Sequence, residues 1–293
     1  MHGRRKSPVA ILNSNLPSDL TDQVARALRE DVGSGDVTAG LIEARAQARA
    51  RVLCREPAVL CGAPWFEETF RQLDPSIQIS WSLQEGASVA ANTVLCELRG
   101  PARAILTGER TALNFLQLLS ATASVTQRYV EAIRGTSCRI LDTRKTIPGL
   151  RSAQKYAVRC GGGSNHRLGL HDMVLIKENH IAAAGSITAA VAAARRQAPG
   201  VRVEVEAENL EQVRQGLAAQ VDIIMLDNFA LEPMRAAVAL NRGHQRPVKL
   251  ECSGDVRLES LRAIAETGVD YISVGALTKN IAAIDLSLRI EAA

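Results

Sequence analysis

VRVEVEAENLEQVRQGLAAQVDIIMLDN, residues 201–228, reads as a strand, a helix and a second strand. Its last run stays apolar until Asp227, and its middle carries Leu210, Val213 and Leu217 at helical spacing. Two strands this close, joined by a helix, form a parallel βαβ unit. The same alternation extends in both directions. Further strand candidates are CRILDTRK (138–145), DMVLIKE (172–178), VKLECSG (248–254) and DYISVGA (270–276). Helical stretches lie between them: LRSAQKYAVRC, SITAAVAAARRQ, LEPMRAAVALN and RLESLRAIAET. Ser186 and Asn209 suit helix N-caps, and Gly200, Gly243 and Gly268 suit stops.

About six such units can be counted, where a closed (β/α)₈ barrel has eight. Either the barrel is incomplete or other segments of the chain complete it; the expected fold class is α/β, an incomplete (open) barrel of about six parallel strands. A doubly wound open sheet is also compatible with the pattern alone.

The first half of the chain reads differently. Pro17 to Arg29 has a helical stripe of Leu20, Val24, Ala27 and Leu28, and EDVGSGDVTAG (30–40) reads as a loop. Between Ala44 and Arg99, strand-like runs surround one helical segment, PWFEETFRQL, which predicts α+β character in a small N-terminal domain and not a βαβ repeat. After Gly100 and Pro101, some thirty residues carry helical spacing, as one helix or two, and bridge into the second half. We place the domains at 1–114 and 115–293, with the last residues packing back on the N-terminal domain.

Composition narrows the function classes. Of the residues, 46% are hydrophobic and 3% aromatic, which predicts a core of Ala, Val, Ile and Leu suited to helices on parallel strands. A net charge of +4, much of it in a tail of Arg4, Arg5 and Lys6, gives no footprint for nucleic acid. No apolar stretch reaches the roughly 20 residues that span a bilayer, and the N-terminus does not read as a signal peptide. Six cysteines without a C-x-x-C pair read as buried free thiols. The expected location is the cytoplasm.

Chemistry concentrates at the C-terminal ends of the strands, where barrels build their active sites. In order these ends supply Thr143, Arg144 and Lys145; Lys177; Glu206; Asp227; Ser253, Gly254 and Asp255; and Val274, Gly275 and Ala276. Arg144, Lys145 and Lys177, with His166 and Arg167 in the loop GGGSNHR, form a cationic cluster for carboxylate or phosphate. Glu206 and Asp227 offer oxygen ligands suited to Mg²⁺ shared with substrate phosphate. The small residues after the last two strands suit a phosphate held by backbone N–H groups.

Each feature also has a plainer reading. Gly161–Gly163 serves equally as a helix stop and turn, and it matches neither a Walker A loop nor G-x-G-x-x-G. His166 by itself reads as a structural hydrogen bonder, and His171 and His180 match no zinc pattern. Glu204, Glu206 and Glu208 share one strand face, so the choice of Glu206 rests on its position at the strand end. Arg110 by itself is a solvated helix charge.

Taken in order, EDVGSGDVT, GERTALNFLQLLS, LDTRKTIPGLR, KYAVRCGGGSNHRLGLHDMVLIKENHI, VEVEAENL, IIMLDN, LECSG and DYISVGALTK resemble the quinolinate phosphoribosyltransferase family. The resemblance covers nearly the whole chain, and it implies an N-terminal α+β sandwich domain and an open α/β barrel with fewer than eight strands. It implies that quinolinate and phosphoribosyl pyrophosphate react, with Mg²⁺, to nicotinate mononucleotide, pyrophosphate and CO₂ in NAD biosynthesis. It implies homodimers, sometimes assembled further, with shared active sites, and Arg110 matches the arginine that enters the partner's site. It further implies that Arg110, Arg144, His166, Arg167 and Lys177 surround the quinolinate carboxylates. Lys145, Glu206 and Asp227 then act near the ribose, the pyrophosphate and its metal, and Ser253, Gly254, Gly275 and Ala276 hold the 5′-phosphate.

Three rivals use the same residues. A Schiff-base aldolase would take Lys177 or Lys145 as nucleophile. A relative would transfer phosphoribosyl to another base such as nicotinate. A sensor would bind an anionic metabolite without turnover, a reading that the Glu206 and Asp227 pair disfavours.

Overall fold

The structure is a computed structural model that describes residues 16–291, so the basic tail of Arg4, Arg5 and Lys6 lies outside the described residues. Along the chain run α1 (Leu20–Val32), β1 (Gln47–Cys54), β2 (Ala58–Val59), α2 (Ala63–Leu73), β3 (Gln78–Trp81), β4 (Ser88–Val89), β5 (Thr93–Pro101) and α3 (Ala102–Ala132). There follow β6 (Arg139–Leu141), α4 (Arg151–Cys160), β7 (Val174–Ile176), α5 (Glu178–Ala184), α6 (Ile187–Gln197), β8 (Val203–Ala207) and α7 (Leu210–Ala218). The last elements are β9 (Ile223–Asp227), α8 (Leu231–Arg242), β10 (Lys249–Ser253), α9 (Leu261–Ala265), β11 (Tyr271–Ser273), α10 (Ala276–Lys279) and β12 (Leu286–Glu291). The chain divides into two compact units. Of the described residues, one takes 16–127, Thr146–Gly162 and 277–291; the other takes Arg128–Lys145 and Gly163–Ala276.

In the first unit a four-stranded antiparallel sheet has the order β12–β1–β5–β3. Alternate residues Ala50, Val52 and Cys54 of β1 are buried with Phe66, Phe70, Ile105, Leu113 and Leu116. Each of these large side chains contributes roughly 2 kcal/mol by leaving water. Helix α1 differs from the sequence expectation at both ends. It starts at Leu20 because the Asp19 carboxylate turns to Gln23 and Ser152 (both 2.9 Å) and does not cap the helix. It runs on through Glu30 and Asp31 until Gly33, at φ 53°, ends it. The thirty-residue helical stretch is one helix, α3. Gly108 does not break it, because that position is bare for packing: an added Cβ would stand 2.7 Å from Phe70.

Helix α4 reads in the sequence as the first crossover of the barrel, yet it belongs to this first unit. Its Ala153, Tyr156 and Ala157 are fully buried, and the Tyr156 ring tilts against Trp65 at 5.3 Å. Helical spacing reports that a face is apolar but not which core receives it.

The second unit holds six parallel strands in the order β6–β11–β10–β9–β8–β7. Strands β7 to β11 succeed one another in chain order, and β6 joins the far side by pairing with β11. A doubly wound sheet would reverse direction at its middle; this one curls steadily round. Strands β6 and β7 do not pair, so the barrel is open there, with only the bridge from Leu141 to Ser164 beside the gap. Ser186 and Asn209 cap α6 and α7 as expected, accepting from Ala189 N and Gln212 N. All six cysteines are free and buried.

Candidate active site

A cavity of about 550 Å³ opens at the C-terminal ends of the parallel strands. Thr143, Arg144 and Lys145 enter it from the loop after β6. Lys145 N donates to Thr143 Oγ1 at 3.1 Å, which folds this loop back on itself. One guanidinium nitrogen of Arg144, Nη1, is buried and finds no hydrogen-bond partner among the described residues. A buried donor of this kind costs about 1–3 kcal/mol unless something accepts from it.

His166 and Arg167 are placed by Asp142, which is fully buried at the end of β6. Its Oδ1 accepts from His166 N at 2.9 Å and its Oδ2 from Asn165 Nδ2 at 2.6 Å. Arg167 is tethered to Met173 O at 3.3 Å. Burial, and next the like charge of Arg144, pull the Arg167 guanidinium below its usual pKa. The cations are thus crowded, and an anion between them would relieve the crowding.

Lys177 ends β7 just before α5. His180 Nδ1 accepts from Lys177 N at 3.0 Å and so fixes the junction that holds this lysine. The Lys177 ammonium donates to Glu206 Oε2 on the adjacent strand. On β8, Glu206 lines the cavity while Glu204 lies beneath it with no exposed surface. The two glutamates share a strand face, and depth in the barrel separates them.

Asp227 also lines the cavity, where its Oδ2 accepts from Asn228 Nδ2 at 2.8 Å. Ser253, Gly254 and Asp255 follow β10 into the cavity, and Asp255 pairs with Arg257 at 3.0 Å. Gly254 has φ 101°, and a Cβ there would fall 2.1 Å from Asn228 Oδ1, so only glycine fits. After β11, Val274 is buried, with its N donating to Leu141 O at 2.9 Å, and Ala276 opens α10. A Cβ on Gly275 would come 3.1 Å from Lys145 Cδ, so this glycine leaves room for the lysine stem. Of the residues singled out in the sequence, Arg110 belongs to the other compact unit, where it stands exposed on α3.

The barrel interior beneath the cations is ionic. His166 Nε2 lies 2.9 Å from Glu204 Oε2 and 3.4 Å from Glu251 Oε2, and both glutamates are 0% exposed. Ser273 Oγ donates to Glu251 Oε1. Burial, then the neighbouring Glu251 charge, push Glu204 up to about 7. Burial pulls His166 down, but the two carboxylates outweigh it and raise the imidazole to about 10. Sequence reasoning did not single out Glu251, Asp142, Asn165, Ser273 or His180. For Glu251 a signal existed, a charge between Leu250 and Cys252 in an apolar strand. The other four are ordinary polar residues near strand ends.

A parallel barrel whose strand ends gather cations, carboxylates and glycine turns around one cavity defines an enzyme site for a multiply anionic substrate. The chain belongs to the quinolinate phosphoribosyl transferase family: the N-terminal domain model of that family matches residues 36–120 and the C-terminal domain model residues 122–289. A probable nicotinate-nucleotide pyrophosphorylase [carboxylating] of Synechocystis is 45% identical over 264 residues, covering 90% of each chain. The human nicotinate-nucleotide pyrophosphorylase [carboxylating] is 37% identical over 279 residues, 94% of this chain and 93% of that one. The solved nicotinate-nucleotide pyrophosphorylase of Francisella tularensis is 49% identical with a TM-score of 0.89, covering 94% of this chain and 98% of its own. No helix among the described residues is long and apolar enough to cross a membrane.

Proposed function

We propose that this chain transfers the phosphoribosyl group of phosphoribosyl pyrophosphate to quinolinate with decarboxylation. The products are nicotinate mononucleotide, pyrophosphate and CO₂, a step of NAD biosynthesis. One observation supports this above the rest. Arg144, His166, Arg167 and Lys177 meet in one cavity with Lys145, Glu206 and Asp227, and Arg144 brings a buried nitrogen that no described residue satisfies.

Quinolinate carries two adjacent carboxylates, which match a crowded cation cluster better than any single anion does. Arg144 and Arg167 offer planar forks to these carboxylates, and Lys177 a point charge. Held there, the pyridine nitrogen is presented to the ribose carbon as a positioned nucleophile. Departure of pyrophosphate leaves positive character on the ribose and gathers negative charge on the leaving group, which Lys145 is placed to oppose. The ring nitrogen, once bonded to ribose, is cationic. It stabilises the electron pair left as the adjacent carboxylate departs as CO₂, so the substrate is its own electron sink.

Glu206 and Asp227 present only oxygen atoms to the cavity, the donor set of a hard cation, and they fit Mg²⁺. When bound, Mg²⁺ would neutralise charge on the pyrophosphate. The backbone turns at Ser253–Gly254 and Gly275–Ala276 receive the 5′-phosphate in this reading. It also holds the enzyme to be a homodimer or larger homo-oligomer in which Arg110 serves the partner's site. The six free thiols support a reducing, cytoplasmic setting.

The deciding experiment incubates the protein with quinolinate, phosphoribosyl pyrophosphate and Mg²⁺ and measures nicotinate mononucleotide together with CO₂. Nucleotide formed from nicotinate without CO₂ release, or borohydride trapping of a lysine adduct, would replace this reading by one of its rivals.

A further inference from the structure

Parallel barrels fill their interiors with layers of branched apolar side chains. This barrel departs from that in and just beneath the floor of its cavity, where Glu251 of β10 and Glu204 of β8 reach one imidazole with the strand β9 between them. Burying two carboxylates costs several kcal/mol each unless they are well paired, and apolar packing would avoid that cost. Their pairing is also loose by hydrogen-bond geometry. Neither Glu204 oxygen receives an aligned hydrogen bond among the described residues, and it is the charge of His166 that holds it. An arrangement this costly does not serve stability.

We propose that Glu204 and Glu251 are positioning residues for the dicarboxylate substrate: together they lock the His166 ring in place beneath the cation cluster. This rests on the function proposed above.

Three observations carry it. His166 is held at its backbone by Asp142 and at its ring by carboxylates from two other strands, so three barrel elements fix one side chain. Ser273 on β11 in turn orients Glu251 from the fourth. Finally, Arg167 and Arg144 are near enough to repel each other, and so to drive a third cation out of the cluster unless anions below retain it. Glu204 lies beneath the cavity and Glu251 in its floor, and neither has exposed surface, so both supply that retaining charge while engaged with His166 and, for Glu251, with Ser273. They do not react; they decide where the His166 ring stands when quinolinate arrives.

The test is steady-state kinetics on Glu204→Gln and Glu251→Gln, alone and combined with His166→Asn. A charge-assisted contact of this kind translates into a roughly ten- to hundredfold fall in kcat/KM for quinolinate. KM for phosphoribosyl pyrophosphate should change by less than about threefold, a split that general loosening of the barrel would not produce. In the His166→Asn background the glutamate substitutions should cost less than about twofold more, because the ring they position is gone. Should either glutamine variant fail to fold, Ser273→Ala leaves both carboxylates in place and removes only the hydroxyl that orients Glu251. It should lower kcat/KM for quinolinate in the same direction by a smaller factor. Unchanged quinolinate kinetics, a loss that falls on phosphoribosyl pyrophosphate, or an undiminished loss without His166 would overturn the inference. Wild-type protein that forms no nicotinate mononucleotide would instead overturn the function on which it rests.

Discussion

Lys177 and Glu206 stand side by side on adjacent parallel strands, with the ammonium of one donating to the carboxylate of the other. A cation assigned to quinolinate and an anion assigned to the metal side therefore occupy each other in the structure. In the proposed reading, substrate and metal ion would part them. Lys177→Ala should cost roughly ten- to hundredfold in kcat/KM for quinolinate, the worth of a charged hydrogen bond. Glu206→Gln frees the lysine, so it should lower kcat while leaving KM for quinolinate unchanged or lower. Separate substrate titrations of the two variants check this, and a rise in quinolinate KM for Glu206→Gln would contradict it.

Arg144 offers the buried nitrogen without a partner. Its removal takes away a donor that only the substrate satisfies, so Arg144→Ala should abolish measurable turnover while the melting temperature stays level or rises. A calorimetric scan beside the activity assay decides it. Near-normal nucleotide formation would remove Arg144 from the site.

Gly254 adopts φ 101°, and an alanine Cβ would lie 2.1 Å from Asn228 Oδ1. Strain and clash together should cost about 2–4 kcal/mol. We expect Gly254→Ala to melt several degrees lower and to bind phosphoribosyl pyrophosphate more weakly, as seen by thermal unfolding and by KM. Asn228 holds the other side of this contact, so Asn228→Ala in the same chain should recover part of the lost stability.

The pH dependence of stability follows from the ionic floor. Glu204 has a folded pKa of about 7 against an ordinary value of 4.5, so the folded state holds its proton more tightly than the unfolded chain. Stability is highest below the unfolded pKa and declines as pH rises towards 7. His166 is raised from 6.5 to about 10, so its contribution is complete below 6.5 and is lost as pH rises through 10. Glu204→Gln removes the first decline. Its melting temperature should change less between pH 5 and 7.5 than that of the wild type, roughly in proportion to the missing proton.

Thiol chemistry gives an independent check on the core. Burial pushes Cys138 and Cys252 up to about 12 and raises Cys54 and Cys96 as well. The thiolate is the reactive form. A chromogenic disulfide reagent at pH 8 should find essentially no reactive thiol in the native protein and all six in denaturant.

Much of the barrel was legible because its signals are local. A parallel strand buried on both faces reads as a continuous apolar run, and its polar end residue marks the rim; Asp227 after Ile223–Leu226 is the clearest case. The caps at Ser186 and Asn209 depend on neighbouring backbone alone, and they formed as their sequences predict. Helix α4 was harder, because an apolar helical face suits either core. Its assignment to the first unit depends on Trp65, some ninety residues earlier in the chain.

The cationic rim shows the same division. Residue types and order along the strands were enough to name Arg144, Lys145, Lys177, Glu206 and Asp227 as one group, since strand ends of a parallel barrel necessarily face the same way. Nothing in the order of residues reveals that Glu204 and Glu251, forty-seven positions apart, close on a single ring of His166. Side-chain period along a strand specifies the face, and the chain alone carries that information. Depth within the barrel, and which carboxylates meet, depend on how six strands are staggered around it, and only the tertiary structure decides that.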